Sequence, residues 1–217
     1  MIPVYVIHLP NKERRKHIEA ELARVGFDDI TYIHAQEPVA DFTANNMRRN
    51  PRNEFGCSMS HIKAQMAAIS DGCTEALFVE DDAVFADNAW QRLADALDQL
   101  DHDYSVLYLG GHPRGPVERL NWIDLYQLKQ AFACTEAYCM PAAEMRHFIQ
   151  FWCDRAGQKN AMIDFILGEF AGQRRGYAFY PTLTTQAVGW SVIGKKIDDK
   201  ADLIERGWQN QLIKCAT

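Results

Sequence analysis

The chain has 217 residues, enough for one ordinary α/β domain and short for two. With 47% hydrophobic and 24% charged residues it has the composition of a soluble globular protein, and no apolar run nears the roughly 18 residues of a bilayer-spanning helix. A formal net charge of −6 argues against broad nucleic-acid binding, although the basic clusters Arg14-Arg15-Lys16, Arg48-Arg49, Arg174-Arg175 and Lys195-Lys196 suit phosphates or an anionic surface.

In chain order, Val4 to Leu9 reads as a strand and Asn11 to Val25 as a helix, with Ile18, Leu22 and Val25 on one face and Gly26 as its stop. A strand at Ile30 to His34 completes a βαβ opening. Residues 36 to 55 lack periodicity and are rich in Asn, Arg, Pro and Asp, which predicts a long surface loop that serves a site. Ser58 or Ser60 then caps a helix running to about Asp71, with Ile62, Met66 and Ile69 inward and Gly72 at its end. A buried strand leads to Glu80. The helix Asn88 to Leu100 turns Trp90, Leu93, Leu97 and Leu100 inward, and Tyr104 to Leu109 is a strand running into Gly110-Gly111. This alternation predicts an α/β fold with a mostly parallel sheet covered on both faces.

Beyond Gly111 the pattern is less regular. Ala131 to Met140 looks extended, and Pro141 begins a helix with Met145, Phe148, Ile149 and Trp152 on its apolar face. Further helices are expected at Ala161 to Phe170 and Leu203 to Ile213, with a strand at Tyr177 to Tyr180 ended by Pro181. Without repeat or linker, the chain reads as a single domain. Its six scattered cysteines contain no C-x-x-C pair, which disfavours both a disulfide framework and a structural zinc site. The segment Met1 to Ile7 has no signal-peptide features, so a cytoplasmic location is expected.

The run Glu80-Asp81-Asp82 follows the apolar residues Ala76 to Val79. Adjacent carboxylates at a strand's end repel unless water, a basic side chain or a divalent cation screens them. In an open α/β sheet that position is where ligands bind. The bland alternative is an acidic loop ahead of the next helix, with Asp87 or Asn88 as its N-cap. Asp164 poses a second question. It interrupts the apolar run Ala161 to Leu167, where an unpartnered carboxylate is costly, so it has a partner, a capping role or a task.

Several stretches agree with one family. Val6-Ile7-His8-Leu9 with Glu13-Arg14-Arg15, the block Glu54-Phe55-Gly56-Cys57-Ser58-Met59-Ser60-His61, and Phe78-Val79-Glu80-Asp81-Asp82 together resemble the family 25 glycosyltransferases. These include lipooligosaccharide galactosyltransferases and relatives of the collagen galactosyltransferases. The resemblance is clear over residues 4 to 111, and Ile163-Asp164 and Pro181 to Ile193, with Gln186 and Ser191, look like the family's later blocks. Departures are His8 where Asn or Ser is common, Phe55 for Ile or Leu, and Val192 at a position often held by Asp.

The resemblance implies a GT-A-like, Rossmann-like fold in which a D-x-D-like motif holds Mn²⁺ or Mg²⁺ against the diphosphate of a UDP-sugar. Asp82 is then the direct metal ligand, with Glu80 and Asp81 sharing the roles of second ligand and ribose or sugar contact. It places His8, Ser60 and His61 beside the nucleotide; on residues alone Ser60 is a helix cap and His61 a packed core histidine. Of the two arginines, otherwise solvated helix charges, Arg15 is assigned to the diphosphate or uracil. Gly110 and Gly111 either allow close approach of the donor sugar or form an ordinary turn, Gln186 contacts acceptor or diphosphate, and Trp190 or Trp122 either stacks on a sugar ring or packs in the core.

Asp164 is the expected general base, its alternative an N-cap. The implied reaction is inverting transfer of galactose or glucose to a glycan or lipid-linked glycan acceptor, lipooligosaccharide foremost, with peripheral membrane association open. Residues 1–111 would bind the nucleotide sugar and 112–217 face the acceptor. A metal-dependent phosphohydrolase and a non-catalytic sugar-nucleotide or glycan-binding module are the rivals.

Overall fold

Both faces of the first strand, β1 (Val4–His8), are covered, and its five residues are all buried. That is the environment in which a run of β-branched and aromatic residues needs no polar alternation. The computed structural model describes residues 2–37, 51–120, 124–156, 162–191, 196–198 and 200–215. Helix α1 (Lys12–Val25) starts where the Asn11 side chain accepts hydrogen bonds from the Glu13 and Arg14 N–H groups. It ends at Gly26, whose φ of 89° lies in the left-handed region that glycine enters without steric cost. Strand β2 (Ile30–His34) then pairs parallel with β1 in the register Val4 to Ile30.

Helix α2 (Pro51–Ser70) begins well before Ser58 and Ser60. Neither serine is a cap: their hydroxyls donate to the carbonyls four residues back, Ser58 to Glu54 and Ser60 to Gly56. The predicted loop is therefore helical from Pro51, while residues 38–50 lie outside the described set. Met66, expected inward, is 57% exposed. The face that α2 lays on the sheet carries Glu54, Ser58, His61 and Gln65, all buried and spaced four, three and four apart. A polar stripe facing a core is invisible to a search for apolar periodicity, and it marks a face that must find hydrogen-bond partners.

Strand β3 (Glu75–Glu80) leads into the short β4 (Ala83–Phe85) and helix α3 (Ala89–Leu100). After β5 (Val106–Tyr108), no periodic sequence pattern marks residues 112–130. There the structure has β6 (His112–Pro113), β7 (Val117–Arg119) and β8 (Leu125–Leu128), followed by β9 (Phe132–Ala133), which pairs with β6. Strand β10 (Ala137–Pro141) and helix α4 (Ala142–Cys153) come next. Helix α5 (Ile163–Gly172), β11 (Gly176–Phe179), β12 (Thr184–Gln186), β13 (Gly189–Ser191), β14 (Lys196–Asp198) and α6 (Ala201–Cys215) complete the order.

The main sheet has the order β2-β1-β3-β10-β5-β11-β8-β7. Strands β2, β1, β3, β5, β11 and β7 run one way and only β10 and β8 the other. The sheet is mostly parallel in direction, as expected, with β10 inserted antiparallel between β3 and β5. Alternate residues of β3 enter opposite cores: Ala76 and Phe78 join Ile62, Phe148, Leu167 and Trp208 on the α2, α4, α5 and α6 side. Leu77 and Val79 join Leu22 and Leu93 on the α1 and α3 side. Because β10 runs backwards, the residues just before it share a sheet edge with those just after β3 and β5. That edge gathers side chains from distant parts of the sequence.

Candidate active site

Glu80, Asp81 and Asp82 leave β3 at the carboxyl edge of the sheet and turn to different partners. The Asp81 carboxylate accepts from the Leu9 N–H at 2.9 Å and from Arg14 Nη1 at 2.6 Å. Asp82 Oδ2 lies 3.2 Å from Arg14 Nη2, while its buried Oδ1 has no hydrogen-bond partner. Burial, reinforced by the neighbouring Glu80, pushes Asp82 up to about 6. The acidic run is not the cap of α3. That position belongs to Asn88, whose side chain makes no capping bond, and β4 lies between.

Glu80 faces the other way. Its Oε1 accepts from the Thr135 hydroxyl at 2.7 Å and lies 3.3 Å from His61 Nε2. Burial raises this carboxyl, but His61, the Lys200 charge and the Thr135 hydroxyl outweigh it and hold Glu80 near 2. The same Thr135 hydroxyl reaches Asp164 Oδ1 at 3.0 Å, so one hydroxyl hydrogen serves two carboxylates. Asp164 sits in the first turn of α5, whose N-cap is Met162, so it is not the cap and carries negative charge where a helix dipole favours it. The start of α5 is tied to α2 by Ser58, whose Oγ accepts from the Ile163 N–H at 3.0 Å.

His61 is fully buried and its Nδ1 is 3.1 Å from the Tyr138 hydroxyl, which also accepts from Gln65 at 3.1 Å. The polar stripe of α2 thus finds its partners at this edge. Sγ of Cys57, a ring nitrogen of His61 and a carboxylate oxygen of Glu80 all lie within 4.8 Å of one another.

The remaining predicted residues divide into two sets. His8 ends β1 with its Nδ1 3.0 Å from the Leu9 carbonyl and its buried Nε2 unpartnered, its ring 4.5 Å from that of His34. Gln186 is paired across β12 and β4 with Ala83, next to Asp82, whose carbonyl accepts from the Ala187 N–H at 2.7 Å. Gly110 sits against the site wall: a Cβ there would come within 2.4 Å of Thr184 Oγ1 and 2.5 Å of Glu136 Oε1. Gly111, with φ of 97°, packs on the Ala133 carbonyl.

Two predicted residues stand apart from the carboxylates. The guanidinium of Arg15 lies over the Tyr32 ring, 3.1 Å from its centroid, and pairs with Glu19; Arg14 is the arginine that reaches the acidic run. Ser60 accepts from the Gln36 N–H at 2.8 Å and so anchors the chain entering residues 38–50. Trp122 and Val192, and the side chains of Trp190 and Ser191, lie outside the described set.

Among the described residues of the candidate site, three carry no signal in the sequence and a fourth, Arg14, is weighed there beside Arg15 and passed over. Thr135 and Glu136 sit in a stretch that reads simply as extended, Lys200 precedes α6, and Arg14 differs from Arg15 by one helical step. Glu136 is fully buried with neither carboxylate oxygen partnered, and burial pushes it up to about 8 despite the opposing Lys200 charge. Lys200 is raised because the carboxylates of Asp164, Glu80 and Glu136 and the Cys134 thiol overcome the effect of its own burial.

Among the described residues, five carboxyl groups, Glu80, Asp81, Asp82, Glu136 and Asp164, therefore meet two cationic side chains at one edge of an α/β sheet. In open α/β sheets ligands bind at such an edge. A family model described as glycosyltransferase family 25 (LPS biosynthesis protein) matches residues 1–166. The chain belongs to glycosyltransferase family 25, and its activity is that of a glycosyltransferase, with a nucleotide-sugar donor and a glycan acceptor as the family implies. No curated protein sequence matches it. Similar solved structures include a mannose-1-phosphate geranyltransferase from Thermus thermophilus, with TM-score 0.48 and 12% identity over 82% of this chain and 74% of that one. Another is A197 from STIV, with TM-score 0.46 and 10% identity over 92% of this chain and 95% of that one.

Proposed function

We propose that the chain is a metal-dependent, inverting hexosyltransferase that moves galactose or glucose from a UDP-sugar to a glycan acceptor such as lipooligosaccharide. The observation that carries this reading is the buried, unpartnered Oδ1 of Asp82 beside Glu80 in a site with more carboxylates than cations. An all-oxygen donor set with spare negative charge suits Mn²⁺ or Mg²⁺, so Asp82, with Glu80 as second ligand, would hold the ion. When bound, such an ion neutralises charge on the departing diphosphate.

The chain's own groups supply the rest. Arg14 balances Asp81 and Asp82 and lies within reach of a diphosphate placed over them. Asp164, oriented by Thr135, takes the proton of the acceptor hydroxyl. The acceptor oxygen bonds the anomeric carbon as the bond from that carbon to UDP oxygen breaks, with inversion. His8 and Gln186, at the ends of β1 and β12, flank the nucleotide and the acceptor side. Residues 1–111 bind the donor, and the later residues face the acceptor while contributing Thr135, Glu136, Asp164 and Lys200 to the same edge. No described helix is long and apolar enough to cross a membrane, and the acceptor would be met at the inner membrane face from the cytoplasm.

Replacing Asp164 by Asn tests the base. Transfer should fall by about 10²–10⁴-fold while UDP affinity stays within a factor of two or so. An unchanged transfer rate would remove Asp164 from the reaction.

A further inference from the structure

We infer that Cys57, His61 and Glu80 form a site for a borderline-soft transition-metal ion, zinc in the first instance, a second cation position that shares Glu80 with the hard-cation position but does not use Asp82. Cys57 and His61 are four residues apart on α2 and so share a helix face, the usual way one helix supplies two ligands. The Cys57 Sγ, a ring nitrogen of His61 and a Glu80 carboxylate oxygen lie within 4.8 Å of one another.

The distance between His61 Nε2 and Glu80 Oε1 is 3.3 Å, yet Nε2 is fully buried and has no aligned hydrogen-bond partner. A poor hydrogen bond at that separation is a good fit to two ligands of one tetrahedral ion. Bonds of about 2.0–2.2 Å to nitrogen and oxygen place such ligands about 3.4 Å apart.

The surroundings match as well. The other nitrogen of His61 is engaged by the Tyr138 hydroxyl, itself held by Gln65, and Glu80 is oriented by Thr135. Metal-bound histidines and carboxylates are commonly held by outer partners of this kind. A thiolate and an imidazole select zinc or cobalt over magnesium or manganese, whereas Asp82 offers oxygen alone. Without metal the Cys57 thiol is kept protonated by burial and by the nearby carboxylates. On binding, the sulfur–hydrogen bond gives way to a sulfur–metal bond and the proton leaves to solvent. Three protein ligands leave the fourth tetrahedral position to water. The ion would pin α2 to the end of β3 and fix the direction of Glu80.

The test is metal content and a spectrum, neither of which depends on transfer activity. Full-length protein incubated with zinc and passed through metal-free buffer should retain about one zinc ion per chain by mass spectrometry of the elements. Replacing zinc with cobalt should give the near-ultraviolet band of a thiolate–cobalt bond. Cys57→Ser, nearly isosteric, should abolish the band and weaken zinc binding at least 100-fold. Asp82→Asn should keep both zinc and band even where it loses manganese-dependent UDP binding, so this site and the proposed catalytic metal fail separately. Wild-type protein retaining less than a tenth of an equivalent of zinc and showing no cobalt band would overturn the site, whether or not the serine variant folds. His61 would then be only a hydrogen-bond partner of Glu80.

Discussion

Gly110 shows how closely single residues bound this site. A methyl group at position 110 would press on the Thr184 hydroxyl and carbonyl and on the Glu136 carboxyl, two of them closer than 2.6 Å. Gly110→Ala should therefore cost about 1–3 kcal/mol of stability, seen as a lower melting temperature, because overpacking forces its neighbours to move. Ser58→Ala acts through a lost acceptor instead. It orphans the buried Ile163 N–H and loosens the turn that carries Asp164. The expected cost is about 1–3 kcal/mol. Turnover should fall with UDP affinity unchanged, which steady-state kinetics and UDP titration separate. At this scale, Glu80, Asp81 and Asp82 were legible in the sequence because three adjacent carboxylates demand a partner. Thr135, Glu136 and Lys200 were not, because each is ordinary in its local sequence and becomes notable only when β10 and the start of α6 meet the same edge.

Elements were most legible where burial and periodicity agree. Ile30–His34 forms the expected strand, and α1 has the expected buried face and glycine stop. Asn11→Ala should remove two side-chain bonds to the first turn of α1 and destabilise the protein by about 1 kcal/mol, measured by chemical denaturation. It should also weaken UDP binding, since Arg14 lies in that turn. Helix α2 was misread at its start because Pro51 and its polar neighbours look like loop. Its inward face was read only in part: Ile62 and Ile69 do pack on the core, but Met66 is exposed, and the buried Glu54, Ser58, His61 and Gln65 interrupt the apolar stripe. The β7–β8 hairpin carried no signal because its short strands lack the length for a clear alternation.

Across the whole molecule, two carboxyls of the site, the buried Glu136 and the half-buried Glu80, give stability opposite dependences on pH. Glu136 is raised from 4.5 to about 8, so the folded state holds its proton longer than the unfolded state. Its contribution is complete below about 4.5 and is lost as pH rises toward 8. Glu80 is lowered from 4.5 to about 2, and its contribution, present above 4.5, is lost as pH falls toward 2. Glu136→Gln should flatten the decline of stability between pH 5 and pH 8, by on the order of a few kcal/mol at the upper end, read from denaturant midpoints. An unaltered slope in that variant would show that Glu136 does not hold a proton in the folded protein.

The alternation of strands and helices made the α/β class readable. The insertion of β10 between β3 and β5 was not readable, since no local pattern states which strand a segment will join. That insertion is nevertheless what brings Thr135 and Glu136 beside Glu80. In the proposed function this shared edge binds a UDP-sugar through a cation at Asp82. Calorimetric titration of UDP into the protein, with and without Mn²⁺ and repeated for Asp82→Asn, tests it most directly. Binding should need the metal, favour UDP over other nucleoside diphosphates, and be lost in the variant. Equal UDP binding with and without Mn²⁺, or none under any metal condition, would contradict it.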